Sequence, residues 1–412
     1  MQKNSTTTIV VVMIVVIAAI GAGLFFTMSN SKDNGVIGTD VDFVGRPIVP
    51  VENLDNGIAA PGQDSFRWMT YFGLADECVF VDTNDRTNFM GKSFMYVGQA
   101  QAQVDFNNLD DFTHANCNLT PQDVAHLLAI KPSLVVVPEG FMQSCKNEVE
   151  ALIEGGLNLV FFGYIYAFLE PETFKITERL DQNINLLSKV LNMKDRGDEI
   201  KDFINDTVSD IRSISSAVKD ADRKTGYIGA LAYNGAHGSD SSTTFFIPFE
   251  LAGITNIMAN EVVKVVDSGV VTFSATTIKE NMDANTILFL DATGMASCGD
   301  NTSKGIIELF KGHENYVSFP YIWTGINYEN VLIAAYQIMH DAYGLLTDAE
   351  LEQKINKVYD GFLGSHISNR NVTASTVAPP APNTSIYDDF DSLYVARNNT
   401  HVYGVLPEWV KA

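Results

Sequence analysis

Apolar positions along this chain follow two rhythms. At Lys131–Gly140, KPSLVVVPEG, and again at Glu280–Gly294, ENMDANTILFLDATG, an amphipathic helix end runs into a short, almost wholly apolar segment. A strand buried on both faces of a parallel sheet reads this way, and the pattern occurs in both halves of the chain. In the first half the helix SFRWMTYFG (Ser65–Gly73) leads to the strand CVFVDTND (Cys78–Asp85). A helix from Thr120 to Ala129, opened by a Thr-Pro start, leads to the strand Leu134–Val137, and the helix KNEVEALIEGG leads to LNLVFFG, ending at Gly163. The second half repeats the scheme with the strand GYIGALAYNG (Gly226–Gly235), the helix FFIPFELAG, the strand TILFLDATG and the segment NYVSFPYIWTG (Asn315–Gly325). The helices YENVLIAAYQIMHDAYG and AELEQKINKVYDGFLG close it.

Between the halves the rhythm is helical. Ile176, Leu180, Ile184, Leu187 and Leu191 share one face; Gly197 is expected to interrupt; Ile200, Phe203, Ile204, Val208, Ile211 and Ile214 resume the stripe. A second helix from Asp198 to Asp222 would be about 37 Å long, enough to span two lobes. The expected fold is therefore α/β, with two lobes joined by a long backbone helix and a ligand cleft between them. Its divisions are a first lobe at 62–170, connecting helices at 171–223 and a second lobe at 224–366. A polar, Gly- and Pro-bearing tether precedes them at 28–61, and a Ser/Thr/Pro-rich tail follows at 367–412. The last stretch of that tail has enough aromatics to dock back on the body.

The segment at 8–27 is apolar for roughly 20 residues, one bilayer crossing for a helix, and reads as a transmembrane anchor or signal. Lys3 places residues 1–7 in the cytoplasm and the body on the extracellular face of the membrane, or secreted if the segment is cleaved. N-x-S/T triplets at Asn118, Asn205, Asn301, Asn371, Asn383 and Asn398 agree with export. In an oxidising compartment Cys117 and Cys145 are candidates for a disulfide; four buried free thiols are the alternative.

Composition narrows the function. With 412 residues, 46% of them hydrophobic, the chain can bury a sizeable core. Twenty-seven basic against fifty acidic side chains give a net charge of -23, which repels phosphate backbones and argues against nucleic acid as a partner. The sequence has no P-loop, no GxSxG elbow, no HExxH and no GxGxxG after a strand, so no enzyme is expected. No metal site or resident cofactor is expected either: His114 and Cys117 with Cys145 lack a fourth ligand at sensible spacing.

The order of the elements resembles the helix-linked class of substrate-binding proteins that serve ABC importers of iron siderophores, haem and cobalamin. LLAIKPSLVVVPEG is similar to that family's helix, Lys-Pro-Asp and strand, with Ser133 where Asp is usual. VLNMKDRGDEIKDFINDTVSDI resembles the lead into its backbone helix. YIGALAYNGAHGSDSSTTFFIPFELAGITNIMA resembles a second-lobe opening found in archaeal members, and FPYIWTGINYENVLIAAYQI with INKVYDGFLG their closing part. The resemblance covers residues 62–366 and implies two Rossmann-like lobes that capture a ferric siderophore, haem or cobamide for an importer's permease and ATPase subunits. It also implies a glutamate in each lobe that pairs with arginines of the importer. Counting seven residues back from Pro132 and from Asn285 gives Ala125 and Ile278 instead, with Asp123 and Glu280 as nearby substitutes.

Ligand-holding side chains should lie on loops at the carboxyl ends of the strands. The candidates are Asp85, Arg86, Glu139, Tyr164 and Tyr166 in the first lobe, and Tyr233, His237, Tyr321 and Trp323 in the second. Aromatics would wall a planar ligand, Arg would pair with its negative charge, and His or Tyr could ligate iron. The alternative function is a surface-anchored structural or interaction module that keeps the fold without a transport role.

Overall fold

The computed structural model describes residues 40–62, 64–82, 110–111, 119–165, 167–231, 237–262, 270–291, 301–318, 328–363 and 403–404. The first lobe is a five-stranded parallel sheet. Its strands are β1 (Ile58–Ala60), β2 (Cys78–Val81), β3 (Asp110–Asp111), β4 (Leu134–Pro138) and β5 (Leu159–Phe162), in the order β3-β2-β1-β4-β5. Helices α1 (Ser65–Tyr71), α2 (Pro121–Ile130), α3 (Phe141–Ser144) and α4 (Lys146–Glu154) cover it. The order reverses at β1: β2 and β3 follow on one side of it, then β4 and β5 on the other.

The apolar runs are continuous because both sheet faces are buried. In β4, Leu134 and Val136 enter one cluster while Val135 and Val137 enter another on the opposite face. In β5, Val160 and Phe162 alternate in the same way with Leu159 and Phe161. The start of α2 is fixed by a capping box: Thr120 accepts from the backbone N–H of Asp123, whose carboxylate accepts from the N–H of Thr120 at 2.7 Å. Lys131 ends the helix in the left-handed region, just ahead of Pro132.

Three expectations are corrected. The tether assigned to 28–61 contains β1, the central strand, whose three residues are fully buried. Upstream of it, buried Asp42 accepts backbone N–H groups from Val44, Arg46 and Phe161, and Val51 bonds Val190, so the chain is docked from residue 40 onward. The strand placed at Cys78–Asp85 ends at Val81. The break in the connecting helices falls not at Gly197 but between α5 (Glu178–Val190) and α6 (Lys194–Ser215), where Asn192 takes a positive φ of 54°. Asn tolerates that conformation, and its side chain also bonds the carbonyl of Val51. At 22 residues α6 is about 33 Å long. Gly197 lies in its first turn because α5 passes close: a Cβ there would fall 1.8 Å from Ser188 Oγ.

The second lobe has strands β6 (Thr225–Gly229), β8 (Thr255–Asn256), β10 (Ile287–Asp291), β11 (Asn315–Ser318) and β12 (Tyr403–Gly404). They form the order β12-β11-β10-β6-β8, all parallel except β12. A small antiparallel pair, β7 (Ser241–Ser242) with β9 (Val271–Thr272), lies beside it. Helices α7 (Ile247–Ala252), α8 (Ala275–Asn281), α9 (Asn301–Leu309), α10 (Tyr328–Tyr343) and α11 (Asp348–Leu363) complete the lobe. As in β4, Ile287 and Phe289 of β10 face one core while Leu288 and Leu290 face another. The expectation that the tail docks back is met at β12, which pairs with Val317 and Ser318 of β11.

One apolar cluster joins β1, β4, β5 and α1 of the first lobe to α5, α6, α10, α11 and the inner faces of β6 and β10. The lobes therefore share a core across the connecting helices. The segment at 8–27 lies outside the described residues, among which no helix is long and apolar enough to cross a membrane.

Candidate functional site

The carboxyl ends of the strands carry polar side chains that the helices bury and orient. Asp82 directly follows β2 and Asp291 ends β10, both buried at the point where an apolar run stops. In the first lobe the rim is built around Glu139, Gly140 and Tyr164. The Glu139 carboxylate accepts the backbone N–H of Tyr164 at 3.0 Å and an ion pair from Arg179, the second residue of α5. Arg179 Nε donates to the Tyr164 carbonyl at 2.6 Å, and its guanidinium lies 4.9 Å from the centre of the Phe43 ring. The Tyr164 ring covers Gly140 so closely that a Cβ there would be 2.9 Å away. Glu139 thus braces the loop that presents Tyr164, turned toward its own lobe.

In the second lobe the half-buried His237 stands on a loop tied down at several points. Tyr227 O–H donates to the Ser239 carbonyl at 2.7 Å, Ser239 N–H donates to Ser303 Oγ, and Ser239 Oγ donates to the Ser303 carbonyl. Gly229 allows the close approach, since a Cβ would be 2.6 Å from the Ser239 oxygen, and Ala230 then turns the chain at φ 60°. His237 is thereby held at the carboxyl end of β6.

The two lobes meet at a buried seam. Asp64 and Arg67, on the turn and helix that follow β1, form an ion pair at 3.3 Å with both side chains almost wholly buried. Tyr71 at the end of α1 donates from its hydroxyl to Glu329, the second residue of α10, which is completely buried. Asp64 feels all of this: burial pushes its carboxyl up, Arg67 pulls it partly back, and the charge of Glu329 raises it further. The segment just past β1 and the first turn of α10 are therefore in direct contact across the lobes. Trp68 packs beside this seam, edge-on to Tyr71 at 6.0 Å and to Phe162 at 6.4 Å.

Of the candidates read from the sequence, Glu139, Tyr164 and His237 lie at strand carboxyl ends, while Asp85, Arg86, Tyr166, Tyr233, Tyr321 and Trp323 lie outside the described residues. Asp123 is buried in its capping box and offers no free face to a partner; Glu280 is exposed on α8. Cys145 is buried, its thiol pushed up chiefly by burial, and Cys117 lies outside the described residues. Asp64, Arg67, Arg179 and Glu329 were not among the expected residues. The available signal was a charge inside an apolar stripe, as in SFRWMTYFG.

Two α/β lobes with largely parallel sheets and a helical connection make up the fold of the helix-linked, two-lobed periplasmic binding proteins. No family model matches the chain, and no curated protein sequence matches it. Solved structures do. The molybdate periplasmic binding protein MolA of Haemophilus influenzae, bound to molybdate, is 17% identical with a TM-score of 0.53, over 78% of this chain and 97% of that one. A periplasmic solute-binding protein from Veillonella parvula is 15% identical with a TM-score of 0.51, over 84% of this chain and 97% of that one.

Proposed function

We propose that this chain is an extracytoplasmic solute-binding protein that captures a small metal complex between its lobes for delivery to an ABC importer. Binding, not bond chemistry, is its activity. The observation that supports this most is the pair of parallel-sheet lobes joined at the buried seam of Asp64, Arg67, Tyr71 and Glu329, since ligands of parallel sheets gather at strand carboxyl ends and between lobes. The ligand class is a ferric siderophore, haem or a corrinoid, with Tyr164 and His237 proposed as wall residues. Arg86, Tyr166, Tyr233, Tyr321 and Trp323 complete the proposed set, and Glu139 positions Tyr164. The molybdate carried by the Haemophilus protein adds an oxyanion to the panel. The segment at 8–27 anchors the chain, and Glu280 is the proposed importer contact.

The test is a fluorescence titration of the body from residue 40 onward with ferric siderophores, haemin, cobalamin and molybdate. Trp68, buried beside the seam, is a built-in reporter. Saturable quenching by one class identifies the ligand. Flat titrations with all four sink the importer reading in favour of a surface interaction module, toward which the sequestered Asp123 already points.

A further inference from the structure

Arg196 occupies the first turn of α6, and its guanidinium reaches two helix ends at once. Nε donates to the carbonyl of Tyr71 at 2.8 Å, and Nη2 donates to the carbonyls of Gly361 and Phe362 at 2.9 and 3.0 Å. Tyr71 is the last residue of α1 in the first lobe; Gly361 and Phe362 lie in the last turn of α11 in the second. Helix C-termini leave carbonyls without intrahelical partners and carry partial negative charge, so two converging ends form a natural seat for a cation. A planar guanidinium serves several acceptors from one rigid fork, which an ammonium cannot do. The side chain is largely buried, at 17% exposure, with Glu199 as an outer partner at 3.4 Å.

Packing concentrates at the same point. The Phe362 ring lies 5.0 Å from Tyr71 and 5.7 Å from Phe203 of α6. Gly361 faces Phe203 so closely that a Cβ would be 2.3 Å from the ring. The final helix of the second lobe is thus pressed at its end against the connecting helix and against α1. Any rotation of one lobe against the other that parts α1 from α11 must break bonds to this one guanidinium.

We propose that Arg196 is a positioning residue for ligand capture, a fastener on the connecting helix that fixes how far the two lobes open. The consequence for capture rests on the binding-protein reading; the effect on lobe spacing does not. A fastener of this kind holds the cleft near its binding-competent width, so that less free energy is spent on ordering it when the ligand arrives.

Spin labels carried by a non-canonical amino acid at Glu154 on α4 and Lys304 on α9, both exposed, would report the interlobe distance distribution without ligand. Arg196→Met is expected to broaden the distribution relative to the parent, and Arg196→Lys, which keeps charge and stem, to broaden it less. Lys201→Met is the control, since Lys201 joins α5 and α6 through Asp181, Asp198 and Asn185 and leaves the fastener intact; it is expected to keep the parental width. If the Met variant does not fold, the Lys variant carries the comparison. Parental width in the Arg196 variants, or equal broadening in the Lys201 control, overturns the proposal. With whichever of haemin or molybdate binds the parent, Arg196→Met should dissociate about tenfold faster, equivalent to about 1.4 kcal/mol. Failure of the parent to bind any probe would count against the proposed function and leave the distance result standing.

Discussion

Asp210 on α6 gathers two other helices onto one oxygen: the Tyr336 hydroxyl of α10 and the Lys354 ammonium of α11 both donate to Oδ2 at 2.6 Å. Burial alone would raise this carboxyl, but the hydrogen bonds from Lys354 and Tyr336 and the charge of Lys354 outweigh it and hold it below the usual range. Tyr336, pushed strongly upward by burial and by Asp210, remains a donor at any ordinary pH. A carboxyl depressed in the folded state adds stability above its unfolded value, near 3.9, and loses it as pH falls through the folded value. Lys354→Met should therefore be less stable than the parent at neutral pH and converge on it as pH falls through the depressed folded value. Because both side chains are partly exposed, the neutral-pH gap should be no more than about 1 kcal/mol. Urea melts across that range check this, and a gap independent of pH would refute it. The residue scale is also where the sequence was least legible. Glu139, Tyr164 and His237 could be placed because each follows a recognisable strand. Arg196 and Glu329 could not, since the partners that give them meaning lie more than a hundred residues away.

Gly197 and Gly305 sit in different helices, and substitution by Ala should move stability in opposite directions. At Gly305, on the exposed face of α9, nothing lies within 4 Å of an added Cβ, so Gly305→Ala should stabilise by up to about 1 kcal/mol through helix propensity. At Gly197 the methyl would collide with Ser188 Oγ, and overpacking of about 1–3 kcal/mol should exceed the propensity gain. Thermal or urea denaturation of the two variants decides it, and a stabilised Gly197→Ala would mean that α5 and α6 are not in tight contact. The same glycine explains a limit of reading elements from sequence. It looks like a helix breaker in one dimension, while its role is to let a second helix approach; the true break at Asn192 carries a much quieter signal. β4 and β10 were legible because both faces are buried and, but for the closing Asp291, every residue is apolar. β1 was not, because three residues, IAA, amid Gly and Pro give no period to read.

At the scale of the molecule, the shared core predicts how the protein unfolds. Side chains from Val51 in the docked N-terminal stretch to Phe362 at the end of α11 belong to one continuous cluster. Chains with two lobes often melt in steps. Here tryptophan fluorescence and far-ultraviolet circular dichroism should trace one coincident transition in denaturant, and two separated midpoints would show that the lobes are energetically independent. The general plan, two α/β lobes with a helical link, was legible because repeated strand patterns flank a long helical stripe. The joint between the lobes was not, because it is made by contacts with no local pattern. The outermost strand of the second sheet has its own consequence. β12 is supplied by residues 403–404, some eighty positions after the strand it pairs with. During synthesis the second lobe must wait with a bare strand edge until those residues have been made, and a chain cut short before them would offer that edge to another copy of itself.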